Sequence, residues 1–115
     1  MKKFALFVFN GDPMCFIHVL LNALDMKAKG HETKIIIEGA SVQLIPELAK
    51  PGMYLNGLWK KTLEAGLVAG VCKACSSKLG TLEAAKEQGV SILDDMSGHP
   101  SMEAYREEGY EIITF

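Results

Sequence analysis

Short apolar runs alternate along the chain with stretches of helical spacing, and turn residues separate them. Phe4 to Phe9 is apolar throughout, as a strand covered on both faces should be. Asn10-Gly11 turns the chain, Asp12 suits a helix N-cap and Pro13 a first helical position. A helix is predicted from there to about Lys29, with Gly30 as its stop. Its apolar residues, among them Phe16, Ile17, Leu20, Leu21 and Leu24, cover more than one stripe. His31 to Glu38 carries a second strand centred on Ile35-Ile36-Ile37. A short helix is expected around Val42 to Leu48, disturbed by Pro46. Lys50-Pro51-Gly52 breaks the pattern, and Met53 to Gly57 reads as an unanchored loop. Leu58 to Glu64 is a short helix and Leu67 to Cys72 a third strand. Residues 73–79 and 81–88 form helical pieces split near Gly80. Val90 to Leu93 is a fourth strand and Asp94 to His99 a loop. Pro100 opens a helix to about Glu108, and Tyr110 to Phe115 is a fifth strand.

Strands alternating with helices predict the α/β class: one three-layer domain over residues 1–115, with a five-stranded, mainly parallel sheet flanked by helices. The breadth of the first helix's apolar surface points to a second partner, hence to an oligomer. Composition narrows the partners. With 49% apolar residues and a net charge of −2, the chain is neither disordered nor basic enough for nucleic acid or an anionic membrane. No apolar run reaches the length of a membrane span. Met1-Lys2-Lys3-Phe4 imitates the start of a signal peptide, but Asn10-Gly11-Asp12-Pro13 interrupts the run. A cytoplasmic location is therefore expected.

The chemistry lies in the cysteines, whose odd number makes no disulfide framework. Cys72 ends the apolar run Leu67-Val68-Ala69-Gly70-Val71, and Cys75 follows at C-x-x-C spacing. In a parallel α/β sheet, sites collect at the carboxyl ends of strands. A thiol there, facing free N–H groups of residues 73–75 and the charge of Lys73, is expected to have a lowered pKa. Cys15 lies in the first turn of the first helix, and the loop after the first strand opens on the same edge. Asn10, Gly11, Cys15 and Lys73 are thus candidate site-lining residues around Cys72, and Cys75 is a candidate resolving thiol. Three thiolates with His18 would be a conceivable metal set. Structural zinc sites usually show two paired knuckles, however, and only one pair exists, so no metal is expected. His18, Asn22 and Asp25 form a polar stripe of helical spacing, and His99 reads as a loop residue rather than a base. Asn10-Gly11-Asp12 lacks the glycine and lysine pattern of a phosphate cradle. Met53-Tyr54-Leu55 with Leu58-Trp59 suits a lid or a subunit contact.

In the order and spacing of these features the chain resembles the DsrE/DsrF-like family, whose fold is named after YchN. The resemblance rests on four features: the turn Asn10-Gly11-Asp12-Pro13, the helix end Lys29-Gly30-His31-Glu32, Cys72 followed by Ser77-Lys78-Leu79-Gly80, and the closing run Glu111-Ile112-Ile113-Thr114-Phe115. It implies a five-stranded sheet and an oligomer, often a trimer or hexamer. It also implies that the cysteine at the position of Cys72 carries sulfur as a persulfide, between donor and acceptor proteins, without an organic cofactor. The chain departs from the family's pattern at Cys75 and at Leu79, where related sequences often have a basic residue. Sulfur transfer is the leading expectation. A non-catalytic oligomeric module and a C-x-x-C dithiol redox or metal-binding protein stand as alternatives.

Overall fold

The run Lys3–Val8, apolar from Phe4 onward, is strand β1, and Ala5, Leu6, Phe7 and Val8 are fully buried. A computed structural model describes residues 1–115. After β1 come α1 (Pro13–Ala28), β2 (Glu32–Ile37), a 3-10 turn over Gly39–Leu44, α2 (Ile45–Leu48) and α3 (Asn56–Glu64). Then follow β3 (Val68–Cys72), α4 (Lys73–Lys78), α5 (Leu82–Glu87), β4 (Ile92–Leu93), α6 (Met102–Glu107) and β5 (Glu111–Thr114). The five strands are all parallel, in the order β4-β3-β2-β1-β5. The expected α/β class and sheet are those observed.

Strand order dictates where the helices go. From β1 to β4 the chain steps across the sheet in one direction, so right-handed crossovers stack α1 to α5 on one face. The last crossover reverses direction and puts α6 on the other face. The packing agrees. The larger core joins Leu6, Val8, Ile35, Ile37 and Val71 of the sheet to Phe16 and Leu20 of α1, Leu48 of α2, Trp59 of α3 and Ala85 of α5. The smaller core joins Ala5, Phe7 and Ile36 to Tyr110, with Tyr105 of α6 edge-on to both Phe7 and Tyr110. Six residues of α6 cannot cover a five-stranded face. A trough of about 410 Å³ remains beside it, lined by Lys34, Ala69, Leu93, Tyr105 and Glu108 among others.

Local chemistry explains the element ends. Asp12 caps α1 by accepting from the Met14 N–H at 2.8 Å, and Asn10 Oδ1 accepts from the Asp12 N–H. Pro46 falls in the first turn of α2, where its missing N–H leaves nothing unpaired; it starts that helix rather than disturbing it. The segment expected to be unanchored is held at its far end. Leu55 is buried, and Asn56 Nδ2 donates to the Leu48 carbonyl at 2.8 Å. α6 begins at Met102, two residues after Pro100, behind its cap Ser101. On α1, Phe16, Val19, Leu20 and Ala23 are buried, whereas Met14 and Leu21 stay exposed. Gly70 marks an irregularity in the pairing of β2 with β3. Its φ is +156°, and a Cβ there would stand 2.4 Å from the Ser91 carbonyl oxygen. Only glycine lets β3 and the chain entering β4 approach this closely.

Candidate functional site

Side chains alternate along a strand, so the residue two beyond a buried position returns to the same face. Two residues beyond Phe7 and Ile36, both on the α6 face, stand Phe9 and Glu38. Cys72 pairs in register with Leu93, which packs on that same face. Phe9, Glu38 and Cys72 thus occupy the carboxyl ends of the adjacent strands β1, β2 and β3. The segment 94–101 lies over them. A cavity of about 330 Å³ is lined by Phe9, Glu38, Met96, Pro100 and Ser101 among others.

That segment is a tight turn with a specific cause. Met96 and His99 exchange two backbone hydrogen bonds, at 2.7 and 3.0 Å. Between them Ser97 and Gly98 both have positive φ, 51° and 89°. This is the geometry of a type I′ hairpin turn, which glycine tolerates and short polar residues accept. The Gly98 carbonyl accepts from the Ala74 N–H at 2.9 Å, fastening the turn to the start of α4. His99 is thereby held over the thiols. Its Nδ1 lies 3.1 Å from Cys72 Sγ and 3.9 Å from Cys75 Sγ. Cys72 itself caps α4: its sulfur accepts from the Cys75 N–H at 3.4 Å.

The electrostatics correct one expectation. Burial pushes the Cys72 thiol up to about 11, rather than lowering it. The Cys75 N–H opposes this, but the Cys75 thiol and the Glu38 carboxyl both push it further up. Of the N–H groups expected to stabilise a thiolate, that of Ala74 is taken by Gly98. Lys73 turns outward to a loose 3.8 Å pair with Asp94, both side chains more than half exposed, which contributes little. Cys72 therefore rests as a neutral thiol, with an imidazole nitrogen at hydrogen-bond distance to take its proton. Burial likewise pushes the Glu38 carboxyl up to about 7.

The other expected site residues fall elsewhere. Asn10 and Cys15 line a separate crevice of about 420 Å³ with His18, Asn22 and Phe115. It lies by the carboxyl ends of β1 and β5, where the strand order reverses. Cys15 is therefore not brought to the thiol pair, because β2 intervenes between β1 and β3. Gly11 serves close packing, since a Cβ there would lie 3.0 Å from the Ala40 carbonyl oxygen. All three cysteines are free. The side chains able to share a metal ion are Cys72, Cys75 and His99, whose donor atoms all lie within 4.8 Å of one another; Cys15 and His18 are not among them. Sequence reasoning missed His99 and Glu38. The dipeptide Ser97-Gly98 signals a turn able to redirect His99, and Glu38 is a charged residue following a buried apolar run without a break.

Fold and site together define a parallel α/β protein with a cysteine pair and a histidine at one sheet edge. The chain is 34% identical over 97 residues to the uncharacterized protein MJ0733 of Methanocaldococcus jannaschii, an alignment covering 84% of this chain and 77% of that protein. It belongs to the same family. An uncharacterized protein of Archaeoglobus fulgidus is 47% identical over 59 residues, covering 51% of this chain and 95% of its own length. No protein-family model matches the chain. A conserved protein of unknown function from Bacteroides thetaiotaomicron, BT1422, shares the fold. Its TM-score is 0.69 at 18% identity, over 99% of this chain and 95% of that one.

Proposed function

We propose that the protein is a DsrE-like sulfur carrier, which accepts sulfane sulfur on Cys72 and passes it on. The observation that carries this reading is the contact between Cys72 Sγ and His99 Nδ1, 3.1 Å, at the end of β3. A buried thiol is a poor nucleophile until a base takes its proton, and His99 is placed to do so as the donor arrives. The thiolate attacks the outer sulfur of a donor persulfide. The donor's S–S bond breaks, the donor leaves as a thiolate, and Cys72 holds the persulfide. An acceptor thiolate then attacks the outer sulfur and regenerates the Cys72 thiolate. Cys75 offers a second exit. Its thiolate can attack Sγ of the Cys72 persulfide, releasing hydrosulfide and leaving a Cys72–Cys75 disulfide for an external thiol to reduce.

Donor and acceptor would be other thiol proteins, met in the cytoplasm; no helix of the chain is long and apolar enough to cross a membrane. Subunit contacts have two surfaces available, the trough beside α6 and the exposed Met14 and Leu21 of α1. A homotrimer or a dimer of trimers would use them. Light scattering that finds only monomer at micromolar concentration would refute the assembly.

Mass spectrometry after treatment with a persulfide donor tests the transfer. The wild type should gain the mass of one sulfur atom. Cys72→Ser should lose the gain while keeping the fold, and Cys75→Ser should still load. An adduct kept in Cys72→Ser and lost in Cys75→Ser would reverse the roles of the two thiols.

A further inference from the structure

We infer that Cys72, Cys75 and His99 form a three-ligand site for a zinc-type divalent cation, with one coordination position left to an outside ligand. Donor spacing is the first ground. Tetrahedral zinc holds thiolates at about 2.3 Å and imidazole nitrogen at about 2.0 Å, which sets donors roughly 3.5–3.8 Å apart. Here the two sulfurs stand 3.1 and 3.9 Å from His99 Nδ1, and the whole set fits within 4.8 Å. Shifts of about 0.4 Å in the two nitrogen–sulfur distances, and of at most about 1 Å between the sulfurs, complete the geometry and lie within side-chain freedom.

Preorganisation is the second ground. The ligands come from two segments, the start of α4 and the turn after β4, and the bond from Ala74 N–H to the Gly98 carbonyl fastens one to the other. The Cys75 N–H already points at Cys72 Sγ, an outer hydrogen bond of the kind that steadies a metal-bound thiolate. Charge is the third. Two thiolates and a neutral imidazole carry −2, which a divalent cation balances. The nearest lysine, Lys73, is turned away to Asp94 and does not compete. Nδ1 faces both sulfurs, so the tautomer protonated at Nε2 presents its lone pair to the ion. Softness then selects zinc-like ions over magnesium or calcium. Cys72 is fully buried, whereas Cys75 and His99 are half-buried, so an outside ligand would reach the ion from the side of Cys75 and His99. Such an open position distinguishes the site from closed four-ligand structural zinc.

This inference stands apart from sulfur transfer, although an ion and a sulfane sulfur would contend for the same Cys72 sulfur. Cobalt(II) titration of the reduced full chain under anaerobic conditions tests it. One equivalent should produce a thiolate-to-cobalt charge-transfer band and the intense visible bands of tetrahedral cobalt, both removed by zinc. Cys72→Ser and Cys75→Ser should each weaken the charge-transfer band and alter the visible bands. His99→Asn should weaken apparent affinity by about tenfold or more, since loss of an outer hydrogen-bond partner alone costs that much. Cys15→Ser should change nothing. Circular dichroism checks that each variant folds; Cys75 and His99 are half-buried, so their variants keep the test open if Cys72→Ser does not fold. A spectrum without charge transfer, an undiminished band in Cys75→Ser, or its loss in Cys15→Ser would overturn the site.

Discussion

Replacing Glu38 with glutamine removes one charge from beside the thiol and changes little else. Glu38 is 7% exposed, and none of the chain's ion pairs reaches it. Burial raises its carboxyl from 4.5 to about 7. One pKa unit corresponds to about 1.4 kcal/mol, so ionising Glu38 in the folded protein costs at most about 3.5 kcal/mol. Glu38 lines a cavity open to solvent, and solvent screening lowers that figure. Because the folded value lies above the unfolded one, the folded state holds this proton more tightly. Its contribution to stability is complete below about 4.5 and is lost as pH rises through about 7. Cys72, the ionisable neighbour, stays a thiol over that window because it titrates near 11. Urea unfolding at pH 5 and pH 8 measures the effect, with Trp59, the single tryptophan and 1% exposed, as the probe. Glu38→Gln should match the wild type most closely at pH 5 and exceed it at pH 8. Parallel changes in the two proteins between these pH values would refute the reasoning.

Three further outcomes follow from the same packing. Cys72 should be the slowest of the three cysteines to alkylate near neutral pH, speeding up only as pH approaches 11; faster labelling than Cys15 in a pH series would contradict its burial. Gly70→Ala should cost about 2 kcal/mol or more, because neither the Ser91 carbonyl at 2.4 Å nor a φ of +156° accommodates a methyl group; an unchanged urea midpoint would count against it. Ser76 is fully buried in α4 and its hydroxyl has no partner. Ser76→Ala should therefore raise stability by about 1 kcal/mol, and thermal unfolding at a lower temperature would show that the hydroxyl is satisfied after all.

The sheet was legible because each strand is an apolar run bounded by turn residues, and parallel strands buried on both faces leave that signature. Cys72 was legible for the same reason: a thiol ending such a run stands at the sheet's carboxyl edge. Its protonation was not. Which N–H groups remain free after β3 depends on Gly98, a residue distant in sequence that takes the Ala74 N–H. His99 escaped because its position comes from the conformation of Ser97-Gly98, where a loop reading assigns no direction to the next side chain. Cys15 was misplaced because a shared sheet edge does not make neighbours of β1 and β3. The strand order sets β2 between them, and only non-local pairing decides that order.

The place of β1, one strand in from the edge and closed by the last strand of the chain, has a consequence for how the protein is made. β1 pairs with β2 on one side and with β5 on the other, Phe4 lying opposite Glu111. On the ribosome, β1 to β3 can associate early, but β1 keeps an open edge until residues 111–114 emerge. Cys72 and Cys75 leave the exit tunnel before the turn that brings His99 over them. For that interval the nascent chain presents two neighbouring thiols to whatever oxidant, sulfur donor or metal ion surrounds it. The thiol pair therefore meets its surroundings before the turn that shields it is in place, and only the folded chain sets His99 against it.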